Sequence, residues 1–442
     1  MAKALPAAAD NSRMGCIAAP NTTGAQTPAR GADGMVLVKV EEVAQGMVLS
    51  EDVRDINARL LLAKGQTIEG RHLRMLKMWG VFEVAVAGSD PDPETRGDAP
   101  DDALADRASQ AIDRSFAALD RDHPAIREVM RLALRHRPRH FDDKHAPEEE
   151  DGAEPAEAPD SDGLLTRMAR IDVQLPEVPS LVYELNDIIA DPLSSSGEIA
   201  RVVNKSPSLA ALLLKIVNSA FYGFRSKIDS ISRAVTLIGS KEVSHLALGI
   251  TIMEAFKSIP RRVIDVPAVL EHNLACGIVA RIIAAHGKIA AHTEQIFVSG
   301  MLHDIGRLVL CKYFPRHAMA TMAHARRLQQ PLLKSEQALL GTTHARLGKM
   351  LLQKWKLPYA LENNVACHHN PAAAINPEMA AALQMADIVV HALGVGNSGE
   401  EILPAFDAGA WDKVRMPAGA FGAVIQQAGR QLETFREVLQ QG

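Results

Sequence analysis

The spacing of hydrophobic residues changes along this chain, and the changes predict its secondary structure. Residues 36–40 alternate between apolar and polar, which is typical of a half-buried strand. Residues 73–79 have helical spacing, and residues 81–86 return to a strand pattern. These residues predict a small α+β module over 35–90. The preceding residues 1–34, rich in Ala, Pro, Thr, Gly and Asn, predict a disordered leader.

From about residue 169 onward the apolar spacing is that of consecutive helices. One buried face begins after Ser206-Pro207 and stops near Gly223, and it comprises Leu209, Leu212, Leu213, Ile216, Val217 and Ala220. Asn218 and Ser219 are predicted to satisfy backbone groups at the end of that helix. The pattern predicts a mainly α protein with three further parts: a helical subdomain over 169–258, a second over 259–395, and a C-terminal connection and helix over 396–442.

A polar and strongly acidic stretch separates the α+β module from the helices. Such a composition buries too little apolar surface to offset the entropy of ordering, so it predicts a largely disordered linker over 91–168. The exception is 126–134, which has helical spacing and leads into a basic cluster over 135–140. We interpret it as a solvated helix that neutralises the nearby acidic run.

The charge and the cysteine content of the chain indicate which partners and which cellular compartment to expect. The formal net charge is −5, which predicts no specific nucleic acid binding and no association with an anionic membrane. Residues 1–34 contain no apolar stretch that fits a signal peptide, and a cytoplasmic location is predicted. The cysteines are scattered, and for Cys276 and Cys367 we favour core packing over a role as soft metal ligands.

The pair His303-Asp304 follows the apolar run 297–302, where two ionisable side chains are costly to bury without compensation. Further imidazole and carboxylate groups occur at helix-length intervals: His272, His344, His368, His369 and Asp387. Packed helices can bring such groups to one point, and divalent metals accept these ligands. We predict a divalent-metal site for Fe, Mn or Zn, with one ion or two.

The order of a lone His, then His-Asp, then a later Asp resembles the HD superfamily of metal-dependent phosphohydrolases. His344 and the doublet at 368–369 resemble the additional ligands of its two-metal branch, the HD-GYP phosphodiesterases. However, Asn370 and Pro371 follow the doublet, and no Gly-Tyr-Pro signature occurs downstream. Arg307 also stands where HD-GYP proteins usually carry lysine. The cyclic-dinucleotide activity of that branch is therefore not carried over to this chain.

Three segments upstream resemble the HDOD domain: 175–179 (LPEVP), 215–223 (KIVNSAFYG) and 231–239 (ISRAVTLIG). The resemblance runs in order from about residue 171 to about residue 395. It implies a bacterial regulatory module that is frequently attached to signalling domains, with an all-helical fold. It fixes the fold more closely than the function.

The resemblance also implies roles for the candidate residues. His303 and Asp304 would share the central metal, with His272 and Asp387 closing the first site. Because carboxylates can bridge two cations, His344, His368 and His369 would complete a second site. In a phosphohydrolase, Asp304 and Arg307 are the catalytic candidates, Arg307 as a charged fork for a phosphate oxygen. An exposed surface role is the alternative for Arg307.

Two functional hypotheses follow. The first is a signal-transduction regulatory protein that uses the metal structurally and acts by binding a signalling protein partner or a small nucleotide ligand. The second is a metal-dependent phosphohydrolase acting on a nucleotide or cyclic dinucleotide. An open coordination position in a pocket lined by cations distinguishes the enzyme from the adaptor. The sequence leaves open whether the chain is catalytically active, and a homodimer is compatible with it.

Overall fold

The computed structural model describes residues 35–40, 43–54, 60–78, 83–87, 102–136, 180–191, 194–218, 222, 224, 226–256, 258–287, 289 and 293–440. The predicted disordered leader, 1–34, lies outside the described residues, as does the acidic part of the predicted linker, 137–168.

The N-terminal module is a small α+β unit, as predicted. Its elements are β1 (Met35–Lys39), β2 (Val53–Arg54), β3 (Leu60–Leu62), α1 (Gly70–Met78) and β4 (Glu83–Ala87). Strand β1 pairs antiparallel with β4, and β2 pairs antiparallel with β3. Leu49, Ile68 and Leu76 are at most 1% exposed within an apolar cluster that belongs to this module alone. The module therefore has a core of its own.

The rest of the described chain is helical. The helices are α2 (Asp102–Ser115), α3 (Pro124–His136), α4 (Ser180–Ala190), α5 (Ser196–Val203), α6 (Pro207–Val217), α7 (Ile231–Ile238), α8 (Ser240–Glu254), α9 (Val266–His286), α10 (Thr293–Leu302), α11 (Ile305–Tyr313), α12 (Pro315–Leu328), α13 (Leu332–Leu340), α14 (His344–Lys354), α15 (Tyr359–Cys367), α16 (Pro377–Leu393), α17 (Ala408–Trp411) and α18 (Phe421–Gln440). Short 3-10 turns occur at Pro371–Ala373, Asp412–Val414 and Ala418–Ala420.

One continuous apolar core joins these helices, from Ile112 in α2 to Leu432 in α18. Helix α9 lies at its centre and packs against α10, α16 and α18. Among the described helices, α9 alone is long and apolar enough to cross a membrane, yet 78% of its most apolar window is buried inside the protein. Its apolar character is thus explained by its central position. The C-terminal helix α18 packs on this body.

The prediction of a disordered linker over 91–168 is wrong for residues 102–136. Ile112 of α2, Phe116 directly after α2 and Ile126 of α3 belong to the main core, and each is fully buried. Helix α3 packs against α16 and α18, so it is a structural helix and not a solvated one. The reason is tertiary: the apolar face of α3 is short, and only the packing partners supplied by the distant C-terminal helices make its burial favourable.

The end of α6 confirms the predicted capping by Asn218, whereas Ser219 lies outside the described residues. Ser206 accepts a hydrogen bond from the backbone N–H of Leu209 at the start of the helix. At the other end, Asn218 Nδ2 donates to the carbonyl oxygens of Leu214 (2.8 Å) and Ile228 (2.7 Å). Its Oδ1 accepts from the Ile228 N–H at 2.6 Å. Asn218 therefore closes the helix and ties it to the segment before α7.

His245 lies on α8 and is not one of the candidate metal ligands. Its burial should make the stability of the protein depend on pH. Burial, helped by the charge of Lys241, lowers the pKa of His245 to about 4. The unfolded chain therefore binds more protons than the folded chain between pH 6.5 and 4, and stability falls as the pH falls through that window. Between pH 7 and pH 5, the unfolding free energy of His245→Leu should fall by about 2 kcal/mol less than that of wild type. Urea unfolding of both proteins at both pH values measures it, and equal losses would contradict the assignment.

Candidate metal centre

The predicted ligands come from five separate places in the helical body. His272 lies on α9, the pair at 303–304 lies between α10 and α11, and His344 is the first residue of α14. His368 and His369 follow α15 directly, and Asp387 lies on α16. The packing of these helices brings residues more than 100 positions apart to one point, as His272 and Asp387 show. This convergence was the central structural expectation for the site.

The apolar spacing on both sides of His303-Asp304 is helical, but the pair itself interrupts the helix. Helix α10 ends at Leu302, α11 begins at Ile305, and Asp304 has φ −96° and ψ 11°. In an unbroken helix, neighbouring side chains point about 100° apart. The break lets them share one side, with His303 Nε2 3.4 Å from Asp304 Oδ2. Two adjacent residues can therefore serve the same centre.

The first group of donor atoms consists of His272 Nε2, Cys276 Sγ, a ring nitrogen of His303 and a carboxylate oxygen of Asp387, all within 4.8 Å of one another and all buried. His272 Nε2 is 3.1 Å from Asp387 Oδ1, and His303 Nε2 is 3.8 Å from the same oxygen. Three of these four residues were predicted as ligands. Cys276 was not.

The second group consists of His344, His368 and His369, whose donor atoms also lie within 4.8 Å of one another. His344 Nε2 is 3.3 Å from His368 Nε2 and 2.9 Å from His369 Nε2. Asp304 lies between the two groups. Its Oδ1 is 3.3 Å from His344 Nε2, while its Oδ2 faces His303. The carboxylate thus directs one oxygen toward each group.

Hydrogen bonds fix the orientation of three of these imidazoles. Nδ1 of His303 donates to the Gly300 carbonyl at 2.8 Å, and Nδ1 of His368 donates to the Val365 carbonyl at 2.7 Å, because a carbonyl oxygen can only accept. Nδ1 of His344 lies 2.7 Å from the Glu336 carboxylate. In the neutral rings, each Nε2 then carries a lone pair that points into the centre. Metal-binding histidines are oriented in this way.

The donor set fits a cation. Lone pairs of His344 and His368 face each other, which is repulsive unless a positive charge lies between them. Burial, together with the neighbouring His303 and His344, lowers the pKa of His368 to about 3, so a proton does not supply that charge near neutral pH. His369 behaves alike: burial and His368 hold its pKa well below the usual range. Neutral imidazoles beside a carboxylate are a ligand set for Zn, Fe or Mn.

His303 also indicates a cation site, although its pKa is raised and not lowered. Among the described residues, its buried Nε2 has no hydrogen-bond partner. Burial lowers the pKa of His303, but the carboxylates of Asp304 and Asp387 outweigh it and raise the pKa to about 9. A proton on this ring is the substitute for the positive charge that a metal ion supplies. Arg307 and His303 hold the pKa of Asp304 well below its usual range despite burial, so this carboxylate is anionic.

Arg307 is buried, so the alternative of an exposed surface role is wrong. Its guanidinium donates through Nη1 to the carbonyl and hydroxyl oxygens of Ser398 and through Nη2 to Glu400 at 2.8 Å. Its Nε lies 3.3 Å from Asp304 Oδ1. The side chain therefore links the central carboxylate to the segment after α16. This arrangement favours a positioning role toward Asp304 over direct contact with a phosphate.

Loss of the contact between Arg307 and Glu400 should destabilise the protein. In Glu400→Ala, Arg307 and the backbone N–H of Leu332 both lose a buried partner, and we expect a loss of about 3 kcal/mol in unfolding free energy. The matched control is Glu401→Ala, whose carboxylate pairs with Arg326 at the surface, and for which we expect at most about 1 kcal/mol. Chemical denaturation of both variants tests this. Equal effects would contradict the assigned role of Glu400.

Three supporting residues were missed at the sequence level: Glu336, Ser398 and Glu400. Glu336 accepts from both the backbone N–H and the ring of His344, at 2.8 and 2.7 Å. Its signal was available, because Glu336 stands on the apolar face of α13, four residues from both Leu332 and Leu340. Ser398 and Glu400 lie in irregular chain, where no periodicity marks a buried residue.

Comparison with known proteins identifies the helical body. Residues 175–371 match the model of the HDOD domain. An uncharacterised protein of Treponema pallidum (strain Nichols) is 26% identical over 205 residues, which are 46% of this chain and 38% of that protein. The match thus spans well under half of the relative's length.

A solved structure supports this fold, and a second is reported as similar. An HDOD domain protein of unknown function from Geobacter sulfurreducens superposes with a TM-score of 0.54 at 19% identity, covering 63% of this chain and 99% of its own. A proposed phosphohydrolase from Shewanella amazonensis SB2B gives a TM-score of 0.49 at 21% identity, covering 61% of this chain and 97% of its own. At these identities the likeness is one of fold. The match to the family model places an HDOD domain at residues 175–371 of this chain.

Proposed function

We propose that this protein is a bacterial signal-transduction regulatory protein whose HD-type site holds one or two divalent ions in a structural role. The observation that carries this proposal is the burial of five of the seven candidate ligands, whereas Asp387 is 7% exposed and His369 is partly exposed. At most 1% of the surface is exposed for each of His272, His303, Asp304, His344 and His368. A catalytic metal keeps a coordination position open toward substrate, whereas a structural metal is enclosed. Enclosed donors favour an ion that holds the surrounding helices together.

In this proposal the protein acts by binding a signalling partner, with a small nucleotide ligand as the alternative, in the cytoplasm. The N-terminal module supplies a second surface beside the helical body. Arg135 of α3 binds Glu51 of the module at 2.8 Å, which supports a defined attachment between the two. A net charge of −5 argues against specific nucleic acid binding. A second copy of the chain is a further candidate partner.

A metal-dependent phosphohydrolase is the second candidate, and one observation favours it. Asp304 directs one oxygen toward each donor group, as a carboxylate shared by two ions would. Two such ions supply Lewis-acid charge for a phosphoryl group and lower the pKa of bound water. Against this, the Arg307 guanidinium already donates hydrogen bonds to Ser398 and Glu400 through Nη1 and Nη2, so these groups are not available to bind a phosphate. We therefore prefer the regulatory function.

Elemental analysis followed by hydrolysis assays tests the choice. We expect purified protein to carry Fe, Mn or Zn and to show no steady hydrolysis of cyclic di-GMP or other nucleotides. The comparison proteins are His303→Ala, Asp387→Ala and the control His286→Ala, in which a histidine at the end of α9, away from both donor groups, is removed. Hydrolysis that disappears in the first two variants and persists in the control would establish the enzyme instead.

A further inference from the structure

Cys276 lies inside the first donor group, although the sequence pattern favoured simple core packing for it. Its side chain is fully buried, and its Sγ is 3.5 Å from His272 Nε2. The two residues are one helical turn apart on α9, so they share a face. We propose that Cys276 is a sulfur ligand of the first metal ion, completing a four-donor site with His272, His303 and Asp387. This inference rests on the proposed metal centre and specifies the class of ion that it takes.

Three of the six donor–donor distances in the group lie within about 0.5 Å of those expected around a tetrahedral ion. Sulfur and nitrogen ligands at ~2.3 and ~2.0 Å from a tetrahedral zinc ion lie about 3.5 Å apart. The Sγ of Cys276 and Nε2 of His272 are separated by 3.5 Å. Nitrogen and oxygen ligands at ~2.0 to 2.1 Å lie about 3.3 Å apart. The two corresponding distances to Asp387 Oδ1 are 3.1 Å from His272 and 3.8 Å from His303, on either side of that value.

His303 provides an independent indication that a ligand belongs here. Its side chain is fully buried, and its Nε2 is directed at Asp387 without a hydrogen-bond partner in the described part of the chain. Core packing alone leaves this nitrogen unexplained. Cys311, by contrast, is an equally buried thiol that lines a small cavity of about 20 Å³ with Ile264 and Leu310. Cys311 lies beside Arg307 in this cavity but outside both donor groups, and it offers a matched control.

A sulfur donor changes the preferred ion. Thiolate and imidazole ligands favour zinc or ferrous iron, whereas Mg²⁺, Ca²⁺ and Mn²⁺ prefer oxygen-rich sites. Four protein donors also close the coordination of a tetrahedral ion, as in structural zinc sites. The second group, with three imidazoles beside Asp304, contains no sulfur donor among the described residues. The two positions should therefore differ in selectivity, with the softer and more enclosed ion beside Cys276.

Cobalt substitution tests the sulfur ligand directly. Co²⁺ bound to thiolate shows sulfur-to-cobalt charge-transfer absorption in the near ultraviolet, and Co²⁺ bound to nitrogen and oxygen alone does not. Metal-stripped full-length protein is titrated with Co²⁺ as wild type, Cys276→Ala, Cys276→Ser and Cys311→Ala. We expect the absorption in wild type and Cys311→Ala and its loss in both Cys276 variants. The first Co²⁺ should also bind more weakly without the thiol, by more than the roughly 10-fold lost when an outer partner of a ligand is removed.

The outcomes separate this inference from the metal centre on which it rests. Bound Co²⁺ without charge-transfer absorption in wild type overturns the sulfur ligand and leaves the metal centre intact. Absorption that persists in the Cys276 variants also overturns it. No binding of Co²⁺ by wild type overturns both the inference and the metal centre. The wild-type spectrum alone can overturn the sulfur ligand, so the test remains valid even if a variant misfolds.

Discussion

Replacement of Asp304 by alanine should remove most of the metal from the purified protein, to less than about a tenth of the wild-type content. Asp304 contacts both donor groups, with one oxygen 3.4 Å from His303 Nε2 and the other 3.3 Å from His344 Nε2. Its loss therefore removes the anionic charge that both ions would share. It also leaves Arg307 buried with fewer partners. Elemental analysis after expression in metal-replete medium measures the effect.

The control for this experiment is Asp187→Ala, which removes an exposed carboxylate from α4, outside the donor groups. We expect wild-type metal content in this variant. Circular dichroism on each protein separates loss of metal from loss of fold. Equal metal content in wild type and Asp304→Ala, or wild-type protein that is metal-free, would contradict the proposed centre.

The second large effect should come from Gly306→Ala, which we expect to lower the unfolding free energy by about 3 kcal/mol or more. A Cβ at this position would overlap the backbone carbonyl of His344 and approach Gly348 N at 2.8 Å. These are main-chain atoms of α14, which cannot turn aside as a flexible side chain can. The close crossing of α11 and α14 also keeps Asp304 near His344. The variant should therefore lose metal as well as stability.

Gly429→Ala is the matched control, because Gly429 lies within helix α18 and has nothing within 4 Å of the added methyl group. Removing a helical glycine from an open position should stabilise the protein by roughly 0.5 to 1 kcal/mol. Urea unfolding of the two variants and wild type gives both values. If Gly306→Ala is as stable as wild type, the close approach of α11 and α14 is not a feature of the folded protein.

Local sequence chemistry predicted part of the fold well. The cap at Ser206 and the terminal role of Asn218 follow from side-chain hydrogen bonds to nearby backbone, which depend on few residues. The break at His303-Asp304 could not be predicted in the same way, since residues on both sides have helical spacing. The burial of α3 was missed for a similar reason: its partners α16 and α18 lie more than 200 residues away in the sequence.

The candidate site shows the same division. The residue type and order of His272, His303 and Asp387 predicted a metal site, and the structure brings their side chains together. Cys276 carries no such signal, because a thiol on an apolar helix face is typical of a core. Glu400 was equally hidden, since its contact with Arg307 joins positions 93 apart through irregular chain. Long-range contacts of this kind depend on the packed fold.

Anomalous X-ray scattering from crystals of metal-replete protein tests the central claim, a metal centre built around Asp304, most directly. We predict anomalous density on both sides of that carboxylate. One peak should lie among His272, His303 and Asp387, and the other among His344, His368 and His369. The wavelength dependence of each peak identifies its element. The absence of an anomalous peak at both positions, in crystals grown with Zn, Fe or Mn present, would contradict the account.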